Sequence, residues 1–202
     1  MDEPKAQPPA NHSNPHAPVD GMLVRRVLQG DKQAFNELVV RYQKTAFAVS
    51  YRLLGQTDDA QEVVQDAFLK AYRSLDGLQK PEAFAGWFMR IVSNLSLNYR
   101  RGRKTRQTLS LEPAWGTDPT DEPVSQDRIN PQRVAEGHQL GQKLEEALNQ
   151  LPEKQKLAIV MFTIEGLPQK QVAEALQCSV EAVKWHVFQG RKRLRELLKD
   201  VL

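Results

Sequence analysis

The chain has 202 residues, 40% hydrophobic and 26% charged, a balance that suits one large or two small soluble domains with real cores. Its single cysteine, Cys178, excludes an internal disulfide and an all-cysteine metal cage, and no stretch approaches the roughly 20 apolar residues of a membrane span. The formal net charge of +3 matters less than where the charge sits. Arg90, Arg100, Arg101, Arg103, Lys104 and Arg106 form one basic block without an acid, and Lys184, Arg191, Lys192, Arg193, Arg195 and Lys199 form a second around a lone Glu196. Between them lies an acidic run through Glu112, Asp118, Asp121, Glu122 and Asp127. Two cationic sites around an acidic spacer point to two contacts with a polyanion.

Residues 1–20 hold five prolines and little to bury, and read as a disordered tail. They lack an apolar leader core, so a cytoplasmic location is expected. His12 and His16 have the spacing of a helical metal pair, but the surrounding prolines oppose a helix there.

Helical pattern starts at Met22. Phe35, Leu38, Val39, Tyr42, Ala46, Val49 and Leu53 recur in steps of three and four, the mark of one buried helical face. Gly55 is a stop signal, and Thr57, Asp58 and Asp59 open a second helix burying Ala60, Val63, Val64, Ala67, Ala71 and Leu75. Its polar side carries Asp59, Glu62, Asp66, Lys70 and Arg73, acids early and bases late as the helix dipole favours. That face suits solvent or a protein partner equally.

A third helix begins near Pro81 and buries Phe84, Trp87, Phe88, Ile91 and Leu95. Opposite this stripe, Arg90, Asn94, Asn98 and Arg101 share a face. Asparagine can bond exposed base edges, while Arg100, Arg103 and Lys104 can neutralise phosphate. Residues 105–137, with Pro113, Pro119, Pro123 and Pro131, read as a flexible acidic linker. Periodicity returns with Leu140, Leu144, Ala147, Leu148 and Leu151, then in a helix from Pro152 to Gly166. No segment alternates with period two, so the chain is expected to be all-α: two small helical domains joined by the linker.

The stretch from Pro168 to Leu197 has the layout of a helix-turn-helix. Val172, Ala173 and Leu176 line the first helix, Cys178-Ser179 make the turn, and Val180, Val183, Val187, Gly190 and Leu194 line the second. Lys184, Trp185, Phe188, Gln189, Arg191 and Lys192 remain on the other faces, offering cations, an amide and two rings to DNA. Either ring could instead fold back to close the core.

The segments "GDKQAFNELVVRYQ", "DDAQEVVQDAFLKAYRSL", "AFAGWFMRIVSNLSLNYRRGRK" and "LPEKQKLAIVMFTIEGLPQKQVAEALQCSVEAVKWHVFQGRKRLREL" together resemble the extracytoplasmic-function (ECF) sigma factors of the sigma-70 class. The resemblance covers about residues 20–104 and 138–200. It implies a region 2 bundle over 21–104 and a region 4 helix-turn-helix over 138–202, acting in promoter recognition and transcription initiation without a cofactor or enzymatic activity.

The resemblance also implies roles. Asp58, Asp59, Glu62, Val63, Gln65, Asp66, Phe68 and Lys70 match the surface that grips the clamp coiled coil of core RNA polymerase, whose flap meets region 4. Asn94, Asn98, Arg100, Arg101, Arg103 and Lys104 match the segment facing the −10 element, and "DGLQKPEAF" the loop beside its captured base. Lys184, Trp185, Phe188, Gln189, Arg191 and Lys192 match the reader of the −35 element, while Trp87 matches a core position. The linker would pass along the polymerase channel, and an anti-sigma factor would mask the same surfaces. Pro168, Gln189 and Trp185 depart from the family's common residues, which puts the −35 sequence, rather than the mode of binding, in question. The alternative is a conventional helix-turn-helix regulator independent of polymerase. The four histidines and Cys178 form no ligand set or nucleophile–base pair, so an enzyme is disfavoured.

Overall fold

The computed structural model describes residues 17–109 and 141–199, the side chains of 104–109 excepted. The expected tail up to residue 16 and most of the expected linker lie outside the described residues. Every regular element described is helical.

The N-terminal unit contains α1 (Ala17–Leu28), α2 (Lys32–Leu54), α3 (Thr57–Arg73) and α4 (Phe84–Leu109). Asp31 starts α2 by accepting hydrogen bonds from the Gln33 and Ala34 amides at 3.0 and 3.3 Å. Gly55 ends it at φ 75°, a left-handed conformation in which its amide still reaches the Tyr51 carbonyl. The expected stripes are buried: Leu38, Ala46 and Val49 on α2, Ala60, Val63 and Ala67 on α3, Phe84 and Phe88 on α4. Phe88 stacks on Phe68 at 4.5 Å between centroids and also meets Phe84 and Tyr42, so aromatic contacts join α2, α3 and α4.

Two boundaries differ from expectation. Residues 17–20, expected in the tail, form the first turn of α1, and Asp20 is fully buried. Its carboxylate accepts from the Arg41 guanidinium at 2.7 Å and from the Tyr42 hydroxyl. This turn is held by a polar latch, which hydrophobic periodicity does not reveal. At the other end, α4 continues through residues 105–109, which the sequence reading assigns to the linker.

The C-terminal unit contains α5 (141–149), α6 (Glu153–Ala158), α7 (Gln169–Leu176) and α8 (Val180–Leu197). The helix expected from Pro152 to Gly166 does not keep α-geometry, because Ile159–Ile164 widens into a π-helical segment. There α8 comes close at Gly190, where a Cβ would stand 2.8 Å from Ile159 Cγ1. In the turn between α7 and α8, Gln177 adopts φ 51°, taking the left-handed position that glycine commonly fills.

The two units pack against each other. Helix α7 lies along α4, and the buried core runs without a break from Leu23 through Phe88 to Val172 and Val187. Gly86 makes the approach possible: a Cβ there would stand 2.3 Å from Glu174 Oε2 and 3.0 Å from the Gln171 carbonyl oxygen. Arg52 of α2 bonds Glu165 at 2.9 Å, and Arg101 of α4 bonds Glu153 at 2.8 Å.

Candidate nucleic-acid and partner surfaces

On α8, Ser179 caps the first turn by accepting from the Ala182 amide at 3.1 Å. Val183, Val187 and Gly190 turn inward. The open question of the two rings resolves outward: Trp185 is 54% and Phe188 65% exposed. Lys184, Arg191 and Lys192 are exposed beside them, and Gln189 is half-buried. Trp185 leans edge-on against its chain neighbour His186, with 5.0 Å between ring centroids. Burial, aided by Lys154, lowers the His186 pKa, so near neutral pH the positive charge of this face comes from its lysines and arginines. Cations and exposed rings on one helix can meet phosphate, thymine methyls and sugars together.

Helix α4 presents Asn94 and Asn98 to solvent. The arginines expected beside them are engaged within the protein. Arg101 bonds Glu153, Arg100 lies 3.9 Å from the same carboxylate, and Arg103 bonds Asp59 at 2.6 Å. Lys104 lies on α4, but its side chain is outside those described. Next to this face, the loop between α3 and α4 shapes a pocket of about 490 Å³ lined by Gln79, Lys80, Trp87 and Arg90. Trp87, expected in the core, is only partly buried and takes part in that lining. Glu174 of α7 also lines it. Burial raises its carboxyl pKa, with Lys170 and Lys80 pulling it back down.

On α3, Asp58, Glu62, Gln65, Asp66 and Lys70 are exposed. Asp59 is more enclosed, accepting from Tyr99 at 2.9 Å as well as from Arg103. The hydrogen bond to Asp59, with burial, pushes the Tyr99 phenol up to about 12. Val63 and Phe68 do not belong to this surface: they are 2% and 9% exposed and pack into the core, because both fall on the apolar stripe of α3. Their part is to hold the helix that displays the others.

Sequence reasoning missed the apolar component of this face. Gln43, Lys44 and Phe47 of α2 and Gln61, Val64 and Gln65 of α3 line a groove of about 470 Å³. Beyond it Val40, at 68%, and Leu69, at 53%, stand exposed. The signal was available, since Val40 and Leu69 are apolar residues lying off the buried stripes of their helices. A groove flanked by apolar and charged side chains suits a protein partner.

Family comparison agrees with this division. Residues 38–106 match Sigma-70 region 2, and residues 141–194 match Sigma-70, region 4. The chain is 31% identical to the RNA polymerase sigma-H factor of Pseudomonas aeruginosa, covering 91% of this chain and 95% of that one. It is 33% identical to the ECF RNA polymerase sigma-E factor of Escherichia coli K12, covering 91% and 96%. Its structure is similar to that of CnrH in complex with the cytosolic domain of CnrY, with a TM-score of 0.62, 28% identity, and coverage of 90% and 97%. No described helix is long and apolar enough to cross a membrane. With both regions present in order, and relatives matched over nearly their full length, the chain belongs to the ECF sigma factors of the sigma-70 family, non-enzymatic proteins that direct transcription through core RNA polymerase and promoter binding.

Proposed function

We propose that this chain brings core RNA polymerase to promoters by reading a −35 duplex with α8 and holding an opened −10 strand with α4 and its preceding loop. The observation that carries the reading is the outward face of α8, where Phe188 and Trp185 stand exposed between Lys184 and Arg191. Exposed rings on a helix have no folding benefit, but they fit a major groove. Asn94 and Asn98 would face the −10 strand, and Lys80, Trp87 and Arg90 would surround an extruded base.

The α2–α3 groove, with Asp66, Gln65 and Leu69 at its edge, would grip the polymerase clamp coiled coil, and the C-terminal unit would meet the flap. An anti-sigma factor would sequester the free chain. Support for such a partner comes from CnrH, which was solved in complex with another protein's cytosolic domain. The working compartment would be the cytoplasm, where polymerase and promoter are found together.

Run-off transcription with purified core polymerase and genomic promoter fragments tests the reading. Specific initiation that depends on this chain is the expected result. Tight footprinting by the chain alone, with no stimulated initiation, would replace it with a conventional operator-binding regulator.

A further inference from the structure

The outward face of α8 is apolar at its centre and charged at its edges. At about 100° per residue, the buried Val183, Val187 and Gly190 set the inward direction, and Trp185 falls almost diametrically opposite them. Steps of four, three and four carry that outward line from Glu181 through Trp185 and Phe188 to Lys192, all four exposed. Lys184 and Arg191 flank it on one side and the half-buried Gln189 on the other. A helix laid in a major groove aims its outermost side chains at the base edges and its flanks at the phosphate walls. The cations therefore have phosphates to meet. The two residues at the middle of the line are rings, which gain chiefly by covering apolar surface.

The apolar group that a major groove presents is the C5-methyl of thymine. We infer that Trp185, with Phe188 beside it, reads thymine methyls, so the −35 duplex this chain selects places A·T pairs under the two rings. Trp185 and Phe188 are three residues apart, a rise of about 4.5 Å against roughly 3.4 Å between successive base pairs, so they cover pairs one or two steps apart. Gln189, one turn beyond Trp185, adds an amide able to bond adenine at N6 and N7, which favours A·T again. Arginine, the commonest reader of guanine, is absent from Val180 to Gly190. Arg191, the first in the helix, leans away from the line and bonds Thr163 at 3.4 Å. Lys184 stands on the phosphate flank.

This inference rests on α8 being the −35 helix, and the test separates the two ideas. The probe is a promoter fragment from which the assembled holoenzyme initiates in run-off transcription. Each −35 thymidine, on either strand, is replaced in turn by deoxyuridine, which removes one methyl and leaves every hydrogen-bonding group in place. Holoenzyme carrying the parent chain should bind at least one substituted fragment about fourfold more weakly, the worth of one buried methyl. At that position Trp185→Ala should bind the thymidine and deoxyuridine fragments alike, and Trp185→Phe, which keeps a ring, should retain part of the difference. Phe188→Ala should erase a second methyl effect one or two pairs away. A −35 element without thymidine, or with thymidines that can all be replaced without loss, overturns the inference and leaves α8 reading the duplex through its polar groups. A methyl effect that survives undiminished in Trp185→Ala overturns the assignment to Trp185. Initiation that tolerates a fully scrambled −35 duplex overturns the −35 reading and the inference with it.

Discussion

Arg103 of α4 bonds Asp59 of α3 at 2.6 Å, and Tyr99, one turn earlier, donates to the same carboxylate. This cluster ties the helix proposed to face the −10 strand to the helix proposed to face polymerase. Asp59 therefore has a structural duty that Asp66, exposed and one helical face-repeat further along α3, does not share.

Substitutions at the two positions should accordingly part company. Asp66→Arg should lower affinity for core polymerase at least about tenfold, a loss near 1.4 kcal/mol, while leaving the melting temperature within a degree or two. Asp59→Arg should lower both, because it sets like charge against Arg103 and removes the nearer of the two carboxylates that accept from Tyr99. Core-binding titrations and thermal melts measure the pair, and unchanged core affinity for Asp66→Arg would refute the α3 assignment.

The rings of α8 predict function without stability. Trp185→Ala and Phe188→Ala remove side chains that are more than half exposed, so unfolding free energies should move by no more than about 0.5 kcal/mol. Affinity for −35 duplex should fall in at least one of them. Lys184→Ala, as a phosphate contact, should weaken binding to all sequences and reduce the salt slope by about 0.9. Gln189→Ala, as a base contact, should cost roughly 1–3 kcal/mol on the correct −35 sequence only. Equal loss on scrambled duplex would exclude base reading by Gln189.

The Asp20 latch should behave as a buried network. Asp20→Ala leaves the Arg41 guanidinium and the Tyr42 hydroxyl without the carboxylate between α1 and α2, at a cost of about 3 kcal/mol. Arg41 is a quarter exposed and can turn to water, but Asp20 is fully buried, so Arg41→Ala, which strands that carboxylate, should cost at least as much as Asp20→Ala. Urea denaturation measures the two, and losses below about 0.5 kcal/mol in both would show that α1 is held by its apolar side alone.

Lys156 provides a pH signature. Its ammonium is buried, donating to Asn149 at 2.7 Å, and burial, with Arg100 nearby, pushes it down from 10.5 to about 8. Between those values the unfolded chain holds a proton that the folded chain has released, so this group makes stability rise with pH across that window. Below about 8 the folded state carries the full penalty of a charged, desolvated amine. Lys156→Met should therefore be neutral or stabilising at pH 7, by about 1–3 kcal/mol, with Asn149 free to bond water at the surface. Its advantage over the parent should shrink between pH 8 and 10, and urea midpoints that stay parallel would contradict this.

Most of the helical plan was legible because apolar side chains at helical spacing must be buried together. Phe35, Leu38, Val39, Tyr42, Ala46, Val49 and Leu53 could be placed on one face of α2 from spacing alone, and all are buried except Val39, which is partly so. Boundaries were less legible where they depend on polar geometry: residues 17–20 join α1 rather than the tail, and there Asp20 finds Arg41 and Tyr42, partners more than twenty residues away. The proposed polymerase face was half legible. Its charges stood out on α3, but Val63 and Phe68 prove to be core, and the exposed Val40 and Leu69 went unread although they lie off the buried stripes.

By itself the sequence determined the helices, the two regions and the cationic helix ends, since periodicity, capping and charge are properties of neighbours along the chain. Only the tertiary structure decided that Trp185 and Phe188 face outward, that Arg101 and Arg103 are engaged by Glu153 and Asp59, and that Glu174 stands in the loop pocket. Each of those outcomes depends on how closely two helices approach. At the decisive contact between α4 and α7, the approach is set by the missing side chain of Gly86, whose consequence appears only when Glu174 is packed against it.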